Sequence, residues 1–196
     1  MLVTGIKSRP GYTTLQLDLG GRQHILIGQG GGGAALIRVL RGLPLQDVTA
    51  VVVIYTGEPF QTDLAHLGLR ELRLHPTGAE AVADLHRTLA RCLMGTRVYV
   101  TGSESFIGSC VQVTTYYAMN ADEVQCEHLG SAARRVYCIH CKTSNENVTT
   151  NIVPCGGCGR HLLVRDHYSR RLAGFMGVMV DAEAPGDIAP IKKTFS

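Results

Sequence analysis

The sequence predicts an α/β protein, a Rossmann-like parallel sheet followed by a small four-cysteine zinc ribbon. Three observations lead to this prediction. Runs with strand and helix periodicity alternate from residue 12 to residue 128. A glycine-rich stretch opens directly into a helical run near residue 34, and two Cys-x-x-Cys pairs follow the alternating region. We therefore divide the chain into a Rossmann-like domain of residues 1–130, a zinc ribbon of residues 131–180 and an extended tail of residues 181–196.

The elements of the first domain follow from periodicity and from turn residues. The run at 48–55 is rich in β-branched residues, which is typical of a strand covered on both faces. Parallel strands need a bridging helix, so regular strand–helix alternation indicates a parallel sheet with helices on both faces. The predicted strands are residues 13–19, 24–28, 48–55, 69–74, 97–101 and 123–127, and the predicted helices are residues 34–40, 60–67, 79–94 and 104–119.

Charge and hydropathy exclude several broad classes of protein. The chain has 196 residues, 45% of them apolar, and a net charge of +3, which is too small to indicate nucleic-acid binding by itself. Residues 138–180 hold five basic and two acidic side chains, so the excess charge lies in the ribbon. We find no cleavable signal and no apolar run long enough for a membrane span, and the seven cysteines favour a reducing cytoplasm.

The two cysteine pairs predict a structural metal site. Cys138 and Cys141 are separated by thirteen residues from Cys155 and Cys158. Each pair sits on a tight turn that carries two sulfurs to the same side, which suits tetrahedral Zn²⁺. Glycines 156, 157 and 159 fit such turns, because backbone folded under a sulfur often needs positive φ.

Other uses of the same cysteines stay open. A rubredoxin-like iron site would use the same four sulfurs, but such sites are shielded by several aromatic rings and only Tyr137 is close in sequence. A redox dithiol or a pair of disulfides fits the spacing less well. His140 and His161 are adjacent to the pairs and are alternative ligands. The isolated Cys92, Cys110 and Cys126 are interpreted as small buried hydrophobic residues.

The glycine-rich stretch is a candidate nucleotide site. Gly30, Gly31, Gly32 and Gly33 precede a helix, where glycine admits a phosphate and free N–H groups bind it. The spacing departs from G-x-G-x-x-G, so a tight turn without a ligand is an equal alternative. Glu58, after the next strand, is either a ribose ligand or an ordinary loop residue.

The order of these features resembles the nicotinamide-binding half of flavin-dependent ferredoxin reductases. The resemblance rests on the glycine turn, the strand ending at Tyr55, and residues 98–106, in which Gly102 is a further candidate for nucleotide binding. Thr101 stands where that family has a cysteine beside the nicotinamide, and Ser103 stands where it has a proline. The segment before the sheet is too short for the family's flavin barrel, and its plant-type iron–sulfur cysteine spacing is missing.

Residues 155–178, together with this sheet pattern, resemble the DmmA family, the small subunit of bacterial dimethylamine monooxygenase. The resemblance implies a non-catalytic subunit of a hetero-oligomer, with a haem-binding subunit and a reductase subunit carrying FMN and a 2Fe–2S cluster as partners. It implies NADPH- and oxygen-dependent demethylation of dimethylamine to methylamine and formaldehyde. Structural Zn²⁺ would be this chain's own cofactor.

The region after the cysteines predicts contacts rather than catalysis. Residues 165–171 combine three arginines with His167 and Tyr168, a composition typical of interfaces, and a solvated helix face is the alternative. Apolar residues around 175–179 either pack on the ribbon or contact another subunit. No group of side chains has a recognisable catalytic spacing. A nucleotide-binding or rubredoxin-like relay protein and a freestanding nucleic-acid-binding zinc ribbon are the alternative functions.

Overall fold

The computed structural model describes residues 8–42 and 51–195. These residues form two compact units. One comprises residues 11–130 and contains the parallel sheet. The other comprises residues 131–195 together with residues 8–10 and contains the four cysteines.

The first unit is built on five parallel strands in the order β3-β2-β1-β4-β5. Strand β1 is central. Strands β2 and β3 lie in sequence order on one side of it, and β4 and β5 lie in sequence order on the other side. The strand order changes direction between β1 and β4, which is where ligands bind in open α/β sheets. The strands are β1 (Gln23–Gln29), β2 (Val51–Thr56), β3 (Leu72–His75), β4 (Thr96–Gly102) and β5 (Val124–His128).

Four helices connect these strands. They are α1 (Gly33–Arg41), α2 (Gln61–Ala65), α3 (Gly78–Leu89) and α4 (Glu104–Tyr116). The hydroxyls of Thr77 and Ser103 cap α3 and α4 by accepting N–H groups three residues ahead. The predicted alternation of strands and helices is confirmed. Part of the predicted strand at 48–55 falls on residues 48–50, which lie outside the described residues.

The two faces of the sheet bury separate apolar clusters. Leu26, Val53 and Tyr99 pack with α1 on one face, and Ile27, Val98 and Val100 pack with α3 and α4 on the other. Alternate residues of β1 and β4 therefore enter opposite layers, as strand geometry requires. This burial explains the continuous apolar runs that predicted a two-sided sheet.

Residues 13–18 differ from the prediction of a strand. The Thr13 N–H donates to the Cys126 carbonyl of β5, but the segment forms no regular backbone ladder. The Leu15 N–H donates to a Glu127 carboxylate oxygen at 2.7 Å, and the Asp18 N–H donates to the Tyr99 hydroxyl at 3.0 Å. Side chains thus take the place of a neighbouring strand.

Helix α3 also ends earlier than predicted. It stops at Leu89, and Arg91 and Cys92 donate backward to Thr88 and Leu89 in tight turns. Gly95 then adopts a φ of 92°, which leads the chain into β4. Leu93 and Met94, predicted as part of the helix, are instead exposed in this connection.

The second unit contains a five-stranded sheet in the order β7-β6-β10-β9-β8. Strand β10 lies parallel to β6 and antiparallel to β9, and the two outer pairs are antiparallel. Its core includes Val136, Leu162 and Phe175. The strands are β6 (Arg134–Cys138), β7 (Ser144–Val148), β8 (Ile152–Pro154), β9 (His161–Ser169) and β10 (Gly174–Met179).

The end of the predicted tail is attached to this sheet. Asn151 exchanges hydrogen bonds with residue 192, and the N–H groups of Thr194 and Phe195 donate to the Thr149 carbonyl. The Arg134 guanidinium lies between the rings of Phe175 and Phe195, 3.8 Å from each centroid. Residues 192–195 of the predicted tail therefore bond to the segment between β7 and β8. None of the helices in the described residues has the length and apolar character to span a bilayer.

Candidate metal centre

The four cysteines sit on two turns with the same backbone geometry. In the first turn the Cys138 N–H donates to the carbonyl of residue 143, and the N–H of Lys142 donates back to the Cys138 carbonyl. In the second turn Cys155 and Gly159 repeat both bonds, with residue 160 as the outer acceptor. Lys142 and Gly159 occupy equivalent positions with φ of 69° and 72°. The predicted need for positive φ therefore holds at Gly159 but not at Gly156 or Gly157, and the first turn places a lysine in this conformation.

The sulfurs of the two turns converge. All four lie within 4.8 Å of one another, with Cys138 and Cys158 3.9 Å apart and Cys141 and Cys155 3.5 Å apart. A tetrahedral ion with metal–sulfur bonds of about 2.3 Å requires sulfur–sulfur separations of about 3.8 Å. The two measured separations lie on either side of this value. They are far longer than a disulfide bond, and the thiols are free.

The surroundings favour the thiolate form of two of the four cysteines, Cys141 and Cys155. The hydroxyl and backbone of Thr143 lower the pKa of Cys141 to about 6. Burial opposes ionisation of Cys155, but the N–H groups of Cys158 and Gly157 outweigh it and lower the pKa of that thiol. Burial raises the pKa of Cys138 to about 11. A bound cation would compensate the charge that this last thiolate brings into the core.

Asn145 supports the second turn, and nothing in the sequence pattern identified it. Its side-chain oxygen accepts the Gly156 N–H at 2.8 Å, and its amide nitrogen lies 3.8 Å from the Cys155 sulfur. The same nitrogen donates to the Val136 carbonyl at 3.2 Å. Asn145 therefore fixes the Cys155 turn relative to β6. Asn145 lies on β7 between the two cysteine pairs in sequence, but cysteine spacing identifies the metal ligands and not the side chains that support them.

The two histidines beside the cysteine pairs are placed differently from the sulfurs. His140 Nε2 accepts the Met179 N–H at 3.2 Å. His161 begins β9, and its carbonyl accepts the N–H of Val180. In the described residues, the group of side chains able to hold a metal contains the four cysteines and neither histidine.

The glycine turn is packed by the chain's own residues. Gly30, Gly31 and Gly32 form a 3₁₀ turn, and Gly33 begins α1. A Cβ on Gly32 would lie 2.9 Å from backbone and hydroxyl atoms of Thr101, and a Cβ on Gly33 would lie 2.6 Å from Cγ of the Phe60 ring.

The exposed part of this turn is small. Gly32 and Gly33 are buried, while Gly31 is exposed. The Gly33 N–H donates to carbonyls of the turn itself, and the Tyr55 hydroxyl donates to the Gly30 carbonyl at 2.8 Å. Close packing thus accounts for Gly32 and Gly33 without a ligand.

Gln29, the last residue of β1, contacts the residues at the end of β4. The Ser103 hydroxyl donates to the Gln29 side-chain oxygen at 2.7 Å. Gly102 adopts a φ of 145°, and a Cβ there would lie 3.0 Å from Cβ of Gln29. The Thr101 hydroxyl is fully buried beside Gly32 and has no hydrogen-bond partner among the described residues. Glu58 is exposed in the loop after β2.

The arginine-rich stretch of residues 165–171 belongs to β9 and the turn that follows it. The helix-face alternative is therefore wrong. Asp166 contacts Arg9 and lies 2.8 Å from Arg134, and Tyr168 packs edge-on against Phe175. Phe175 is buried in the core of this unit. This part of the stretch stabilises the second sheet.

Family models match most of the chain. The N-terminal domain of the "Dimethylamine monooxygenase subunit DmmA-like" family matches residues 4–124, and its C-terminal domain matches residues 135–178. A relative from Ectopseudomonas mendocina (strain ymp), described as "Heme-dependent oxidative N-demethylase delta subunit", is 27% identical over 178 residues. The alignment covers 91% of each chain.

Solved structures show a more distant likeness. The FAD/NAD-binding domain of nitric oxide dioxygenase from Vibrio cholerae O1 biovar El Tor is 17% identical, with a TM-score of 0.41 over 56% of this chain and 52% of that chain. Flavohemoglobin from Malassezia yamatoensis is 13% identical, with a TM-score of 0.45 over 58% and 33%. An intact type IV self-sufficient cytochrome P450 monooxygenase is 16% identical, with a TM-score of 0.47 over 87% and 22%. The chain spans about half or less of the length of each of these proteins.

The two family models together extend from the glycine turn through the convergent cysteines, and the chain belongs to the dimethylamine monooxygenase subunit DmmA-like family.

Proposed function

We propose that this protein is a non-catalytic subunit of an N-demethylating oxygenase, in which its four-cysteine unit binds a structural Zn²⁺. The family match and the demethylase subunit that aligns over 91% of both chains support the assignment to such an oxygenase. The finer proposal is a dimethylamine monooxygenase that uses NADPH and oxygen and releases methylamine and formaldehyde. Its partners are a haem-binding subunit and a reductase subunit with FMN and a 2Fe–2S cluster.

The observation that carries the metal assignment is the convergence of Cys138, Cys141, Cys155 and Cys158. Four sulfurs leave no open coordination position on a tetrahedral ion, which is the mark of a structural rather than a catalytic zinc site. The cysteines join the ends of β6 and β8, two strands that lie far apart in the order of the second sheet. The ion would therefore cross-link the sheet, and its binding energy would be folding energy.

Metal analysis of the purified protein tests this assignment. We expect one zinc per chain, and a colourless protein, since a ferric four-thiolate site absorbs visible light. Cys158→Ser should lower the zinc content and unfold residues 131–195 locally, while the parallel sheet retains its structure. The matched control is Cys92→Ser, which alters a half-buried thiol of the other unit. A red protein with iron would support the rubredoxin-like relay instead, and a protein with neither metal would contradict both.

Co-purification tests the subunit assignment. Tagged protein, co-expressed with the haem and reductase subunits of the same organism, should recover haem and flavin absorbance in one complex. The complex should form formaldehyde from dimethylamine with NADPH. The protein alone should form none. Recovery of neither chromophore would refute the proposal.

Nucleotide binding by the first unit is the second candidate function. The buried, unpartnered Thr101 hydroxyl beside Gly32 favours it, because an unsatisfied buried polar group is uncommon and often marks a site. Phe60 packs against Gly33 and fills space beside the turn, which argues against a bound nucleotide there. Calorimetric titration with NADPH distinguishes a nucleotide site from a turn that binds no ligand. Binding that Thr101→Val weakens would support a nucleotide site, and no heat at millimolar NADPH would refute it.

A further inference from the structure

Large apolar side chains are exposed just after the end of α3 and at the end of α4. Leu93 is 77% exposed and Met94 is 94% exposed, both in the connection that follows α3. Tyr116, the last residue of α4, is 74% exposed. Seven large hydrophobic residues are exposed among those described, and these three have the highest exposures of the seven. We refer to the surface formed by Leu93, Met94 and Tyr116 as the helix-end surface.

A cleft of about 300 Å³ opens on this surface. Its lining is partly apolar, from Leu89, Leu93, Met94 and Met119, and includes one carboxylate, from Glu123. Gly95 and Ala118 also line the cleft and contribute almost no side chain to it. The cleft has room for one large apolar side chain of another molecule.

Three aromatic rings extend the surface across the two helices. The His86 ring lies 5.2 Å from Tyr116 and 5.1 Å from Tyr117, and the two tyrosine rings meet edge-on at 5.1 Å. The Tyr117 hydroxyl also donates to the His86 carbonyl at 3.0 Å. These contacts hold Tyr116 in place although it is exposed. A preorganised tyrosine and a methionine are enriched types at protein interfaces.

A second, basic cavity of about 520 Å³ lies on the other side of α3. Cys92 lines both cavities, so the two lie next to each other at the end of this helix. Arg73, Arg87 and Arg91 line the basic cavity, and Asp84 is the acidic residue that lines it.

The arginines are unequally neutralised. Asp84 is buried and contacts Arg73 at 3.2 Å and Arg87 at 3.3 Å. The Arg87 side chain is nevertheless 62% exposed, and Arg91 is exposed with no ion pair among the described residues. Arg73 is also paired with Glu71, so two carboxylates face three guanidinium groups, and Arg91 carries the excess positive charge on this side of the helix-end surface.

We propose that the helix-end surface binds another subunit of the demethylase through a segment with a large apolar side chain followed by carboxylates. The apolar side chain enters the cleft beside Leu93 and Met94. The carboxylates bind Arg87 and Arg91, because guanidinium groups bind carboxylates in a bidentate manner. This inference rests on the proposed function, since it requires that the protein assemble with other subunits.

Charge favours a different chain over a second copy as the occupant. In a symmetric dimer the same arginines would face each other across the interface, and like charges in contact oppose association. An acidic segment on a different chain relieves that repulsion. A partner with opposite charge would also associate faster at low salt.

The test uses the full chain co-expressed with the haem and reductase subunits. The variants are the double substitution Leu93→Ser with Met94→Ser, and separately Arg91→Glu. Their controls are Leu19→Ser, an equally exposed leucine after the segment that packs on the α1 face, and Arg70→Glu, an exposed arginine before β3. We expect each variant to weaken assembly about 10-fold or more, and each control to leave it unchanged. Thermal unfolding should be the same for all four, because the altered side chains are exposed.

Each other outcome is informative. If the wild-type chain assembles and both variants assemble equally well, the helix-end surface is not the interface and the proposed function stands. If the wild-type chain recovers no haem or flavin subunit, the proposed function and this inference both fail. If the double variant converts a dimer of this chain alone into a monomer, the occupant is a second copy and the acidic partner is refuted. Weakening by Leu19→Ser as strong as by the double variant would also refute the assigned location.

Discussion

Two adjacent glycines in the second cysteine turn provide a test of the metal centre that leaves every ligand in place. A Cβ on Gly157 would overlap the Thr143 hydroxyl, and it would lie 2.9 Å from the Thr143 Cβ and 3.0 Å from the Cys141 sulfur. A Cβ on Gly156 would meet nothing closer than the Asn145 side-chain oxygen at 3.7 Å. Gly157→Ala and Gly156→Ala are therefore the same chemical change with different packing.

The expected magnitude follows from how little Thr143 can move. Its carbonyl accepts the Cys138 N–H at 2.9 Å, which fixes its backbone to β6. Its hydroxyl contributes to the low pKa of Cys141, and the added methyl group would displace it. Overpacking of this kind costs about 1–3 kcal/mol. If zinc binding and folding of this unit are coupled, Gly157→Ala should weaken zinc affinity about 5- to 150-fold.

Competition with a chromophoric chelator at pH 7.5 measures this affinity for the wild-type protein and both variants. Gly156→Ala should stay within about threefold of the wild-type affinity, because its methyl group enters open space. Equal affinities of the two variants, or a larger loss in Gly156→Ala, would show that the two turns do not close around one ion as the sulfur positions indicate.

Two further predictions concern stability. Burial opposes ionisation of Asp84, but the hydrogen bond from His75 and the charge of Arg73 outweigh it and hold the pKa of Asp84 below its ordinary value of about 3.9. Because the pKa is lower in the folded state, the ionised Asp84 stabilises the protein fully above about pH 5, and this stabilisation is lost as the pH falls through the folded pKa. The free energy of unfolding in urea, measured from pH 7 to pH 3, should therefore decrease with acid, and Asp84→Asn should make the decrease smaller. Phe195→Ala removes one of the two rings around Arg134 and should lower the unfolding free energy of the second unit by about 1–3 kcal/mol in urea titrations, whereas unchanged stability would show that the tail contributes no packing.

The sequence predicted most of the parallel sheet because its evidence is local. β-branched runs, glycine breaks and helix caps lie within the elements that they define, so each strand of the first unit was found apart from small errors at its ends. Residues 13–18 were misassigned because alternating apolar residues report burial of one face. They do not report whether the backbone finds a strand or, as here, the side chain of Glu127 and the hydroxyl of Tyr99.

The second unit was harder to predict because its contacts are distant in sequence. Strand β10 lies between β6 and β9, and no local pattern places it there. The cysteine spacing located the candidate metal centre, since that spacing is itself the chemical requirement. It revealed neither Asn145, which comes from β7, nor the stack of Phe195 on Arg134, which joins residues 61 positions apart. Leu93 and Met94 were assigned to a helix because apolar residues at helical spacing look alike whether they are buried or exposed.

The second unit combines two segments, residues 8–10 and residues 131–195, that are synthesised at different times during translation. Ser8 bonds to Tyr168 and Arg9 to Asp166, although 120 residues of the parallel-sheet unit come between residue 10 and residue 131. On the ribosome, the parallel sheet emerges whole while residues 8–10 still lack their partners. The sheet unit can fold first and bring the ends of that long segment together, which removes much of the entropy cost of closing so large a loop. Folding of the second unit would then be a late step, completed only after β10 and residues 192–195 have left the ribosome.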